Sequence, residues 1–186
     1  KQGGLLLIES SFNIKNYTCD TYYEYMKYFE DQKEFVNKLD NLPKNKLTVR
    51  LYPGFKNKNF HEDFKWLEFD QTIKINTEVI NISHLIKENR LIVHSYDSTG
   101  MLETLSQNIP TLAFWQNNFD HIVDKVKPDY QLLVDAGIVH FSAQSVASKV
   151  NEIWEDVDVW WQKSHVQNAR KKFCDKFAKS CSHPTK

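Results

Sequence analysis

Cysteine, proline and glycine are all scarce in this chain: 186 residues hold three cysteines, five prolines and five glycines. Cys19, Cys174 and Cys181 form no CxxC pair and are odd in number. That argues against a disulfide framework or zinc site and makes a reducing cytoplasm the default expectation. No GxGxxG, Walker lysine loop, HExxH or GxSxG occurs. Nicotinamide dehydrogenases, P-loop NTPases, zinc proteases and α/β-hydrolases are therefore disfavoured, and no metal or cofactor is expected. There is no charge excess, with 24 basic and 24 acidic residues, which argues against a nucleic-acid partner. No apolar run is long enough to span a bilayer. The run Gly3 to Ile8 is too short for a signal peptide and soon meets Glu9. Repeats, low-complexity segments and Gly/Ser linkers are missing as well, so the chain reads as one domain.

Present instead is a globular composition, 41% hydrophobic and 13% aromatic, with strand and helix signals in alternation. Leu5 to Glu9, Leu47 to Tyr52, Thr72 to Ile75, Leu91 to Val93, Thr111 to Trp115 and Gly137 to Phe141 read as strands. Between them, residues 21–41 carry Tyr22, Tyr25, Met26, Phe29, Val36 and Leu39 at helical spacing, stopped by Leu42-Pro43-Lys44-Asn45. Shorter helices are expected around His61 to Leu67, Val79 to Ile86 and Met101 to Gln107. Asp120 to Val134 reads as mostly helical with Pro128 interrupting, and a helix capped by Ser142 places Val146, Val150, Ile153 and Val157 on one face. A last helix starts near Trp160. Six strands with intervening helices predict an α/β, doubly wound, Rossmann-like parallel sheet with a C-terminal crossing helix.

The richest stretch is Leu91 to Trp115: strand, polar loop, helix, turn, strand. Its loop, Asp97-Ser98-Thr99-Gly100, lies at the carboxyl end of a strand and opens a helix, where open α/β sheets bind ligands. Helix-start N–H groups and the dipole suit phosphate. Ser98, Thr99 and Gly100 are thus phosphate candidates, and Glu103, one turn in, is a ribose candidate. The same residues read equally as an ordinary hydroxyl N-cap followed by a solvated carboxylate.

Arg50 ends the second strand, where a cation amid apolar residues must find an anion, an internal acid or the outside of an edge. Ser10 and Ser11 end the first strand and face the same ligand edge. Asp120-His121 suggests an acid/base pair, but adjacent helical residues do not face each other. His94 and His140 read as packed strand histidines. From His165 onward six Lys or Arg accompany one acid, Asp175, a face suited to solvent or to an anionic membrane surface.

Together these residues resemble the C-terminal domain of GT-B glycosyltransferases: the hydroxyl loop, Gly100-Met101-Leu102-Glu103, then Asn108-Ile109-Pro110 and an apolar strand. Asn108 stands where that family often has Gly. Arg50-Leu51-Tyr52-Pro53 is similar in place to the His-Pro element of sialyltransferase-like enzymes, with Tyr52 in place of His. The helix Tyr22 to Leu39, Asp120-His121, Ala136-Gly137-Ile138, and Trp160 with Ala169 to Phe173 extend the likeness to surface-carbohydrate (O-antigen) transferases.

The resemblance implies a metal-independent transferase whose nucleotide-sugar donor, with CMP-linked donors among the options, is a substrate and not a cofactor. Ser10, Ser11, Arg50, Ser98, Thr99 and Gly100 would hold the nucleotide phosphate and Glu103 the ribose, with no catalytic base assigned. It implies a donor-binding domain over 1–158. A terminal helix over 159–186 would pack back on the sheet or reach an N-terminal domain of the same enzyme. The chain starts on a strand without Met and reads as the C-terminal half, working in the cytoplasm at the inner face of the membrane. Two alternatives stay open: a nucleotide-sugar 2-epimerase-like domain and a non-catalytic flavodoxin-like binding module.

Overall fold

A computed structural model describes residues 3–10, 19–52, 61–77 and 81–179, with the backbone alone for 19–24. The first half runs β1 (Gly4–Ile8), α1 (Cys19–Lys38), α2 (Asn41–Lys44), β2 (Leu47–Arg50), α3 (Glu62–Phe69), β3 (Lys74–Asn76) and α4 (Ile82–Glu88). The second runs β4 (Asn89–His94), α5 (Thr99–Ser106), β5 (Thr111–Phe114), α6 (Lys127–Asp135), β6 (Val139–His140), α7 (Ala143–Ile153), α8 (Val157–Trp161) and α9 (Ser164–Phe177). All pairings are parallel and the strand order is β3-β2-β1-β4-β5-β6. That is the doubly wound arrangement expected from the sequence, and it differs from the flavodoxin-like order.

The central strands are apolar on both faces because helices cover both. Leu5, Leu6 and Leu7 are fully buried. Side-chain alternation splits them: Leu5 and Leu7 join the large core, while Leu6 and Ile8 meet Ile92 and Leu85 in a smaller one on the opposite face. Burying each such leucine contributes about 1.5–3 kcal/mol. Asn151 of α7 ties down the end of α1, donating from Nδ2 to the Lys38 carbonyl at 2.9 Å and accepting the Asp40 N–H at 2.9 Å.

Several boundaries differ from the sequence reading. Leu42 to Lys44 form part of the short helix α2, with Pro43 buried. Pro128 sits in the first turn of α6, where its missing N–H costs nothing, so it starts that helix after a 3₁₀ turn at Asp124–Val126. Val157 lies outside α7, because Trp154 to Asp156 break the helix before α8. The terminal helix begins at Ser164. It packs on α5 and α6, with Phe173 fully buried and its ring 5.0 Å from Tyr130. Arg170 donates from Nη1 to the Leu105 carbonyl at 3.0 Å, beside the Asn108 N–H that the same oxygen accepts at 3.1 Å near the end of α5. Cys174 is buried and unpaired. Ser11, Pro53, Val79 and Cys181 lie outside the described residues.

Candidate functional site at the sheet switch point

The strand order reverses between β1 and β4, and ligands of open α/β sheets bind outside the carboxyl ends at such a point. Here the two strand ends are joined by a relay of hydrogen bonds. The Ser10 N–H donates to Tyr28 Oη at 2.7 Å, and Tyr28 Oη lies 2.6 Å from Ser95 Oγ. Ser95 Oγ donates to the Ile8 carbonyl at 2.9 Å. That last bond uses the serine proton, so the tyrosine must donate to Ser95. Burial, and then the charge of Glu9, pushes the Tyr28 hydroxyl well above the usual phenol range.

The loop after β4 leads into α5. Ser98 is its N-cap, in extended backbone, and Ser98 Oγ accepts the Met101 N–H at 3.2 Å. The capping alternative is thus realised, although a capping hydroxyl keeps its own proton to donate. Thr99 is exposed at the helix start. Gly100 lies over His94: a Cβ at this position would be 3.2 Å from His94 Cε1. His94 is fully buried, with Nε2 3.2 Å from Thr104 Oγ1. Thr104 turns its own proton to the Gly100 and Met101 carbonyls. His94 Nε2 is therefore the donor, and burial holds this histidine down to about 3. It is a neutral support for the loop. His140 is engaged through both nitrogens, by Ser145 Oγ at 2.7 Å and the Gly137 carbonyl at 3.1 Å, and burial lowers it to about 4.

Arg50 closes β2 and is 3% exposed, with Nη1 donating to Asn76 Oδ1 at 2.8 Å. A cation is thus held at the carboxyl edge. Tyr52, two residues on, is 42% exposed because the strand has already ended. Glu103 is exposed on α5, one turn past the cap.

Two clusters at this edge were not read from the sequence. Glu9, 4% exposed, accepts the Trp66 indole N–H at 2.8 Å. Burial, followed by the charge of Glu62, raises its carboxyl well above the ordinary range. The only local signal was an acid directly ending a buried strand. In the second cluster, Asp97 Oδ2 lies 2.9 Å from Tyr130 Oη and 3.3 Å from His121 Nε2. The acid partner of His121 is therefore Asp97 and not its neighbour Asp120. Among the described residues no group of three or more His, Cys, Asp or Glu is placed to hold a metal, and no helix is long and apolar enough to cross a membrane.

This sheet and its switch-point loops define a Rossmann-like domain of the GT-B glycosyltransferase fold. The catalytic domain of cholesterol-α-glucosyltransferase from Helicobacter pylori superposes with a TM-score of 0.56 at 16% identity, over 94% of this chain and 99% of that one. WaaG, a glycosyltransferase involved in lipopolysaccharide biosynthesis, gives 0.44 at 15% identity over 93% of this chain and 42% of its own. The chain belongs to the LIC12162 family transferases, whose family model matches residues 1–186. No curated protein sequence matches it.

Proposed function

We propose that the chain is the donor-binding domain of a glycosyltransferase, taking a nucleotide-activated sugar at the carboxyl edge of the sheet between β1 and β4. Membership of a transferase family favours transfer over epimerisation or passive binding. The observation that carries the reading is the switch point itself, with Ser10, Ser95, Ser98 and Thr99 gathered at it. Ser11 is a further candidate for the donor phosphate. The donor phosphate lies against the first turn of α5, where backbone N–H groups, Gly100 and the Ser98 and Thr99 hydroxyls stabilise charge as it develops on the leaving group. Arg50, buried behind this edge, adds positive potential. Glu103 takes the ribose hydroxyls.

CMP-linked sugars are the first donors to test, and the role is in cell-surface polysaccharide synthesis on the cytoplasmic face of the membrane. An N-terminal domain of the same enzyme supplies the acceptor site. The exposed lysines of the last helix, Lys171, Lys172 and Lys176, suit contact with anionic lipid. Calorimetric titration with CMP, CDP, UDP and GDP tests the proposal. One nucleotide binds, and Thr99→Ala and Glu103→Ala each weaken it by about tenfold, the value of one lost hydrogen bond to a charged group. A folded chain that binds none of the four refutes it.

A further inference from the structure

His121 follows β5, and Asp97 lies between β4 and the N-cap of α5. Their side chains meet at the sheet edge, with His121 Nε2 3.3 Å from Asp97 Oδ2. The same oxygen accepts the Tyr130 hydroxyl proton at 2.9 Å. An ionised carboxylate only accepts, so His121 Nε2 carries a hydrogen. Trp115 holds the ring edge-on, with centroids 5.6 Å apart at 85°. The imidazole is thus fixed in orientation and tautomer. Its Nδ1 has no partner among the described residues, and the side chain is 46% exposed.

The two histidines that end described strands differ. His94 is sealed in the core and His140 has both nitrogens engaged. Only in His121 does an orienting acid lie on one nitrogen while the other is presented outward, one carboxylate away from the start of α5. That is the geometry of a proton-transfer histidine with its orienter.

The geometry points to His121 as the proton-donating ligand of the departing nucleotide phosphate, with Asp97 as its positioning residue. This rests on the donor-domain reading above. In the transfer, the bond from the anomeric carbon to the phosphate oxygen breaks and its electron pair stays on that oxygen. The acceptor hydroxyl oxygen bonds to the anomeric carbon and releases its proton to solvent. The Nδ1 proton of the His121 imidazolium passes to the phosphate oxygen, and solvent reprotonates the ring. Asp97 keeps Nε2–H bonded throughout and balances the cation. Asp120 adjoins His121 in the chain, while Asp124 is paired with Lys127 and Asp129 of α6 with Lys176 of α9. Asp97 is the carboxylate bonded to the ring.

Long-range ¹H–¹⁵N spectra of the histidine side chains read His121 directly while the chain is titrated with CMP, CDP, UDP and GDP. In the complex the Nδ1 signal moves and the His121 titration midpoint rises by about one pH unit or more, as an adjacent anion requires. Cytidine, uridine and guanosine, which lack phosphate, leave it in place. His121→Gln weakens the nucleotide by about tenfold or more without changing nucleoside affinity. Asp97→Asn lowers the midpoint in the complex. If a nucleotide binds while the His121 signal stays still and His121→Gln binds as wild type, His121 is packing alone and the donor-domain reading survives. If the wild-type chain binds no nucleotide, the donor-domain reading falls and this inference falls with it.

Discussion

Tyr28 Oη and Ser95 Oγ stand 2.6 Å apart, and through this contact α1 ties the end of β4 to the end of β1. The relay runs from the Ser10 N–H through both hydroxyls to the Ile8 carbonyl. Tyr28→Phe leaves the Ser10 N–H without its acceptor, so we expect a loss of about 1–3 kcal/mol in urea unfolding. Ser95→Ala combined with it costs less than the sum of the two, because both changes break one network. Strict additivity would show that the two hydroxyls are not coupled.

The buried Glu9 carboxyl makes stability depend on pH. Its folded-state value lies above the unfolded one, so its contribution is fully present below the unfolded value near 4.3 and is lost as pH rises through the folded value. Glu9→Gln keeps an oxygen for the Trp66 indole and removes the charge. The variant gains on wild type as pH is raised from about 4 to 8. Urea midpoints across that range test this, and a constant gap refutes it.

His94 acts in the opposite direction. Burial depresses it to about 3, so its contribution is present above the unfolded value near 6.5 and is lost as pH falls towards the folded one. His94→Gln places a donor where Nε2 meets Thr104 but takes up no proton. Between pH 6 and 4 the variant should lose about 1.4 kcal/mol less per pH unit than wild type. Parallel pH profiles would mean that His94 does not titrate on unfolding.

Asn108 explains a departure from the family pattern. Its φ is 58°, in the left-handed region, which glycine and asparagine adopt most readily. Its Oδ1 also accepts the Trp161 indole N–H at 3.0 Å, tying the α5–β5 turn to α8. Asn108→Gly keeps the backbone and loses one bond, with the Asn108 carbonyl still accepting from the same indole at 3.1 Å. Asn108→Ala also strains the backbone and should cost about 1 kcal/mol more in thermal or urea unfolding. Equal costs would mean that the conformation carries no penalty.

Much of the fold was legible because its signals are local. Leu5 to Ile8 and Leu91 to Val93 are apolar on consecutive positions, as strands covered on both faces must be. Ser98 and Ser142 each precede a helix, and each accepts the N–H three residues on. Pro128 and Val157 misled because periodicity does not say where a helix starts or breaks. Proline is tolerated in a first turn, and Trp154 to Asp156 interrupt a pattern that continues on paper.

The sequence by itself determined the class of fold, the six strands and the loop that opens α5, since hydrophobic spacing and caps act over a few residues. Tertiary structure alone decided which side chains share the edge. Glu9 and Trp66 meet across 57 positions, and Asp97 and His121 across 24. No period in the chain encodes such pairs. They meet because the parallel crossovers bring every strand's carboxyl end to one edge, and the order β3-β2-β1-β4-β5-β6 sets which ends are neighbours.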